Sequence, residues 1–272
     1  MTCLAHELSP RRRSGSSTAR FCPCHLRGRV GALKELTGTV SRQRAFQREL
    51  SILSAGRHEN IVAFRGKFTG SERLALIQHL CPGGDLFCAI YSAQVSPSST
   101  QKLKMLSDVA EAMGYMHSQA PQVIHRDLKS MNILLMQPLR EGSQVQLKVA
   151  DFGSARAKEP DHKGNWQAMT KCVGSVNWTA PEVFSGNYDE KADVYSYAMV
   201  MFEILCLEIP FENEDPSKIY EMTRRGVRPD WASVPRSIPD VVADLMVGCW
   251  GHLPAGRPGF STIRELIPAR KL

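Results

Sequence analysis

The chain has 272 residues, 43% of them hydrophobic and 22% charged, which is enough apolar material for one large domain or two lobes around a sizeable core. Its net charge of +7 is uneven: residues 1–34 hold seven Lys or Arg against Glu7 alone, leaving +1 for residues 35–272. A nearly neutral body argues against a nucleic-acid footprint and leaves the basic leader as a solvated tail.

At the N-terminus, Arg11 to Arg13 are not followed by an apolar signal core, and Cys22-Pro-Cys24-His25 lacks a second ligand pair at zinc-site spacing. The eight cysteines are scattered without paired spacing, which predicts reduced thiols in an intracellular, cytoplasmic protein. Ser41 to Ala55 carries Phe46, Leu50 and Leu53 at helical spacing and stops at Gly56, a natural C-terminal stop. Two short apolar runs, IVAFRGKF and LALIQHL, flank Thr69-Gly70-Ser71 and predict neighbouring strands. CPGGDL then breaks the pattern and marks a boundary between lobes.

After a Ser/Pro-rich loop with ready N-cap residues, Leu103, Leu106, Ala110, Met113 and Met116 predict a long one-faced helix. It leads into VIHRDLKSMNILL at residues 123–135. Val145, Leu147 and Val149 predict a strand that delivers Asp151-Phe152-Gly153. From Asp193 onward the periodicity is helical. The apolar stretch from Tyr195 to Phe211, interrupted by Glu203 and Glu208, reads as a buried helix and not as a membrane span.

His125-Arg126-Asp127 with Lys129 and Asn132, then Asp151-Phe152-Gly153, Ala180-Pro181-Glu182, Asp193 in DVYSYAMVMFEIL, and Trp250 with Arg257-Pro258 occur in this order. From about residue 28 the chain thereby resembles a eukaryotic protein kinase domain. The resemblance implies an α+β, two-lobed fold: a small, mainly β N-lobe over 28–81, with an incomplete or divergent first hairpin, and a large, mainly α C-lobe over 82–272. Residues 1–27 are left as a basic leader, disordered or divergent.

The resemblance also implies ATP and Mg²⁺ as cofactors. Phosphoryl transfer spreads negative charge over the moving group, so a protein must position the reactants and supply cations. Asp127 would orient the acceptor hydroxyl and take its proton, Asn132 and Asp151 would hold Mg²⁺, and Lys129 would add positive charge. Ala32-Leu33-Lys34 matches the strand-borne lysine motif, and Glu49, fifteen residues on, would hold Lys34 toward the phosphates. Gln78 falls at the gatekeeper position, His79 to Cys81 at the adenine-reading hinge, and Leu134 joins Ala32 among the nucleotide-binding positions. Glu182 with Arg257, Asp193, and a spine of Leu53, Phe64, His125 and Phe152 would have structural roles.

One segment departs from the pattern. Where the family places G-x-G-x-x-G-x-V, this chain has RSGSSTAR, with only Gly15 in register and Arg20 in place of the valine. Bare glycine backbone lets N–H groups close over phosphate oxygens, so a loose roof and weakened nucleotide binding are expected, and a pseudokinase or scaffold is the rival reading. Lys129 and Ser175 fit the serine/threonine pattern, and GSVNWTAPEVF is similar to the tyrosine-kinase-like group. The expected partners are a protein substrate modified on Ser or Thr and an upstream kinase acting on Thr170, whose phosphate would pair with Arg126. Neither a nucleic acid nor a membrane span is expected.

Overall fold

The computed structural model describes residues 20–26, 29–36, 40–69, 74–92, 96–157, 176–186, 188–235 and 237–267. Gly15 to Thr18, Thr170 and Ser175, each singled out above, lie outside them, and of Arg20 only the strand backbone is described.

Four antiparallel strands form the first lobe: β1 (Arg20–Leu26), β2 (Arg29–Leu36), β3 (Phe64–Thr69) and β4 (Leu74–His79), in the spatial order β1-β2-β4-β3. The described end of the basic leader is thus a strand of the sheet, paired with β2 from Arg20↔Glu35 to Leu26↔Arg29. Helix α1 (Val40–Ala55) packs against β2, β3 and β4 and buries Phe46, Glu49 and Leu53. These residues fall on one face at helical spacing. Gly83 and Gly84 end this lobe. A Cβ at Gly83 would come within 2.3 Å of the Gln137 carbonyl, and Gly84 has a φ of +77°. Both glycines bond to Leu135, through Gly83 N–H to Leu135 O and Leu135 N–H to Gly84 O, which pins the connection to the second lobe.

The second lobe opens with α2 (Leu86–Tyr91), capped by the Asp85 carboxylate, a short helix that periodicity does not predict. Next comes α3 (Ser99–His117), whose Ser98 and Gln101 form a reciprocal capping box. β5 (Val123–Ile124) pairs with β8 (Arg156–Ala157), and β6 (Ile133–Leu135) with β7 (Leu147–Val149). β7 starts two residues later than Val145, which is buried but lies outside the strand. The centre of the lobe is α4 (Lys191–Cys206), apolar around its circumference and almost wholly buried, as a helix surrounded by core must be. α5 (Pro216–Arg224), α6 (Asp240–Cys249) and α7 (Phe260–Leu266) complete it. No helix among the described residues is long and apolar enough to cross a membrane.

Candidate active site

β2 and α1 bring Lys34 and Glu49 together. Opposite residues of an antiparallel pair share a face, so Ala32↔Gln78 and Lys34↔Leu76 turn Lys34 and Gln78 to one side of the sheet. On that side the Lys34 ammonium donates to Glu49 Oε1 (3.0 Å) and Oε2 (2.8 Å) and to Asp151 Oδ1 (2.8 Å). Gln78 Nε2 also donates to Glu49 Oε1, at 3.0 Å. Lys34, Glu49 and Gln78 are all buried. Burial disfavours the Lys34 charge, but the carboxylates of Asp151 and Glu49 outweigh it and raise the pKa above the usual lysine value. Burial also works against ionised Asp151, and there Lys34 wins, holding the carboxyl below its usual range. Glu49 is pushed up, by burial first.

The second cluster belongs to the loop between β5 and β6. Lys129 Nζ donates to both Asp127 carboxylate oxygens at 2.9 Å. Asn132 Nδ2 donates to the Asp127 carbonyl (2.7 Å) and to Oδ2 (3.0 Å). The loop backbone is held from below: Asp193, in the first turn of α4, accepts from the N–H groups of His125 and Arg126, both at 2.8 Å, and lies 2.9 Å from His117 Nε2. Arg126 takes a left-handed φ of +72°, a conformation that persists only where its surroundings enforce it. Asp127 N–H donates to His125 Nδ1 (3.3 Å), so the His125 ring proton is on Nε2, 3.0 Å from the Ala150 carbonyl.

Those bonds join the two clusters. Ala150 N–H donates to Asn132 O at 2.9 Å, and Asp151 follows with φ +62°, its carboxylate accepting from Gly153 N–H. The His125 and Phe152 rings meet edge-on, with centroids 5.2 Å apart, and Leu53 and Phe64 pack into the same core. Of the hinge residues, His79 turns its N–H to Ala63 O (2.8 Å) and Cys81 O accepts from Gly84 N–H (3.2 Å). Ala32 and Leu134 are half-buried, on β2 and β6. Further off, Arg257 is buried against Glu182, with Nη2 3.1 Å from Oε2.

A small cavity beside Asp127 is lined by Arg126, Trp178, Thr179, Ala180 and Asp193. Asn132 and Asp151 are hard oxygen donors of the type magnesium prefers. Both Asn132 amide protons are engaged by Asp127, which leaves its oxygen as the atom for a cation. The described residues contain no cluster of three His, Cys, Asp or Glu side chains able to hold a metal.

Two features escape the sequence. Gln78, expected at the gatekeeper position, also bonds to Glu49; the available signal is a single amide inside the apolar run LALIQHL. Glu203 shows in the sequence only as an interruption of an apolar stretch. It is fully buried, taking hydrogen bonds from Ser130 Oγ (2.5 Å), Trp178 Nε1 (2.7 Å) and Tyr91 OH (3.4 Å).

The family model for protein tyrosine and serine/threonine kinases matches residues 27–267. The chain is 32% identical over 241 residues to the serine/threonine-protein kinase CTR1 of Arabidopsis thaliana, covering 88% of this chain and 28% of that protein. It is 36% identical over 222 residues to the serine/threonine-protein kinase TNNI3K of Homo sapiens, covering 80% and 25%. To the serine/threonine-protein kinase VIK of Arabidopsis thaliana it is 35% identical over 265 residues, covering 93% and 59%. The chain therefore spans less than two thirds of the length of each of these relatives.

Proposed function

Because the chain belongs to the protein tyrosine and serine/threonine kinase family, in its tyrosine-kinase-like group, we propose that it transfers the γ-phosphoryl group of ATP to serine and threonine hydroxyls of protein substrates. The observation that carries this is Lys34 bonded at once to Glu49 on α1 and to Asp151 on the second lobe. A buried ammonium shared by two carboxylates is fixed in place, which is what a phosphate-orienting group requires.

In this reading Asp127 orients the acceptor hydroxyl and receives its proton as the new O–P bond forms and the bond to the β-phosphate oxygen breaks. Lys129 stabilises the charge on the transferring oxygens from beside Asp127. Asn132 and Asp151 would hold magnesium, which when bound would offset negative charge on the phosphates. Ala32, Leu134 and the backbone of His79 to Cys81 enclose the adenine. We also assign the protein to intracellular, cytoplasmic signalling, with Thr170 as the residue phosphorylated by an upstream kinase. The scattered cysteines support the intracellular part of that assignment, and Arg126, next to Asp127, supplies the cation for a phosphate on Thr170.

The test is transfer of labelled phosphate to a generic basic protein by wild type and by Asp151→Asn, with phosphoamino-acid analysis. We expect phosphoserine and phosphothreonine, and a loss of at least about a hundredfold in the variant. Equal rates would end the assignment, and phosphotyrosine would overturn the acceptor class. Wild type that binds no nucleotide would leave a scaffold, the alternative that RSGSSTAR favours.

A further inference from the structure

A glutamine buried in an otherwise apolar strand needs a partner, and Gln78, 2% exposed, has its partner in the ion pair. An ammonium has three N–H donors. Here Lys34 uses all three, on Glu49 Oε1, Glu49 Oε2 and Asp151 Oδ1. To donate to a phosphate oxygen it must release one of them.

The two Glu49 oxygens are not equivalent. Oε2 accepts from Lys34 at 2.8 Å, whereas Oε1 accepts both from Lys34 at 3.0 Å and from Gln78 Nε2 at 3.0 Å. If Lys34 left Oε2, a buried carboxylate oxygen would lose this donor, at the cost of an unmade charged hydrogen bond. If it leaves Oε1, Gln78 still satisfies that oxygen. We infer that Gln78 is a positioning residue: it holds Glu49 Oε1 so that Lys34 can turn one N–H from Glu49 to a nucleotide phosphate while keeping its bonds to Oε2 and Asp151. This rests on the nucleotide-binding function proposed above. It assigns the amide at the gatekeeper position to the phosphate end of the nucleotide, acting through Glu49 and Lys34.

The experiment compares binding of ATP and of adenosine, which has no phosphate, by calorimetry in EDTA. The proteins are wild type, Gln78→Leu and Gln78→Met, each also in a Glu49→Gln background. ATP affinity should fall about ten- to a hundredfold in both apolar variants, with adenosine unchanged within about threefold. In the Glu49→Gln background the effect of replacing Gln78 should shrink to less than about threefold, since position 49 then carries no charge for Gln78 to satisfy. Equal losses for ATP and adenosine would make Gln78 an adenine contact and overturn the inference. So would unchanged ATP affinity, an undiminished effect in the Glu49→Gln background, or failure of both apolar variants to fold, which would make the amide a fold determinant. Failure of the function proposed above is read separately, from wild type that binds neither ligand, and this inference would fall with it.

Discussion

The two ends of α4 hold two acids that are equally buried and electrostatically opposite. Asp193, in the first turn, has burial working against its charge, but His117 and the backbone N–H groups of Arg126 and His125 overcome it and hold the carboxyl below its usual range. Glu203, in the last turn, is also fully buried, and burial pushes it up to about 7 despite hydrogen bonds from Ser130, Trp178 and Tyr91. Helix geometry adds to the contrast, because an N-terminus favours a negative charge and a C-terminus opposes it. Burial alone therefore does not fix the state of an acid. Asp193 is an anion that organises the loop between β5 and β6, whereas Glu203 stands near the point of neutrality, joining Ser130 of that loop to Trp178.

Breaking the Asp193 end should have the largest effect. Asparagine would place an NH₂ against N–H donors, so Asp193→Asn should cost about 3–5 kcal/mol, the range for removing one member of a buried charged network. The signature is in its pH dependence. A carboxyl whose pKa is lowered on folding contributes stability above its unfolded value, lost as pH falls through the folded one. In urea unfolding the gap to wild type should therefore narrow below pH 3.8. A gap that does not narrow below pH 3.8 would contradict the contrast between the two ends.

Glu203→Gln tests the other end with the opposite sign. As pH rises from 4.5 to about 7, the unfolded chain ionises while the folded one keeps its proton, so wild type loses stability across that window. Glutamine cannot ionise, and it keeps an acceptor for Trp178 Nε1 and a donor for the Ser130 hydroxyl. The variant should match wild type near pH 4.5 and gain on it with pH, by at most about 3 kcal/mol near pH 8. Parallel stability curves would show that Glu203 is ionised throughout.

Much of this is legible in the sequence because it depends on periodicity and on residue types at fixed spacing. Phe46, Glu49 and Leu53 fall on one helical face, and Asp127, Lys129 and Asn132 are close enough in sequence for one loop to bring them together. Helix α2 is not legible, because six residues held by the Asp85 cap make too few turns to leave a periodic trace. Nor is the β5–β8 pair, because each strand has two residues and its register is set by the surrounding loops. Contacts such as Gln78 with Glu49 and Trp178 with Glu203 depend on separations of 29 and 25 residues and on side chains that carry no local signal. Glu203 looks like a break in an apolar pattern, whereas it is the acceptor that lets three polar groups sit inside the core.

The finest test of the contrast is Ser130→Ala, which leaves Glu203 in place and removes one donor to it. A hydroxyl bonded to a neutral acid contributes about 0.5–1.5 kcal/mol, and to a charged one about 1.5–3. The loss should thus be greater at pH 8 than at pH 5, by about 1 kcal/mol. That difference amounts to just under one pKa unit. Because the donor favours the ionised form, its removal should move the Glu203 transition upward from about 7, extending the decline in stability to higher pH. At Asp193 the same change should do nothing, since Ser130 is not among the groups that shift it. Stability profiles of wild type and Ser130→Ala, with the Glu203 carboxyl followed by carbon NMR, measure both shifts. A downward shift would mean that the Ser130 hydroxyl accepts from the protonated acid instead of donating to the carboxylate, leaving Trp178 Nε1 and Tyr91 OH to support the charge. An equal loss at both pH values would mean that the acid does not change state, and the two ends of α4 would then differ in geometry but not in charge.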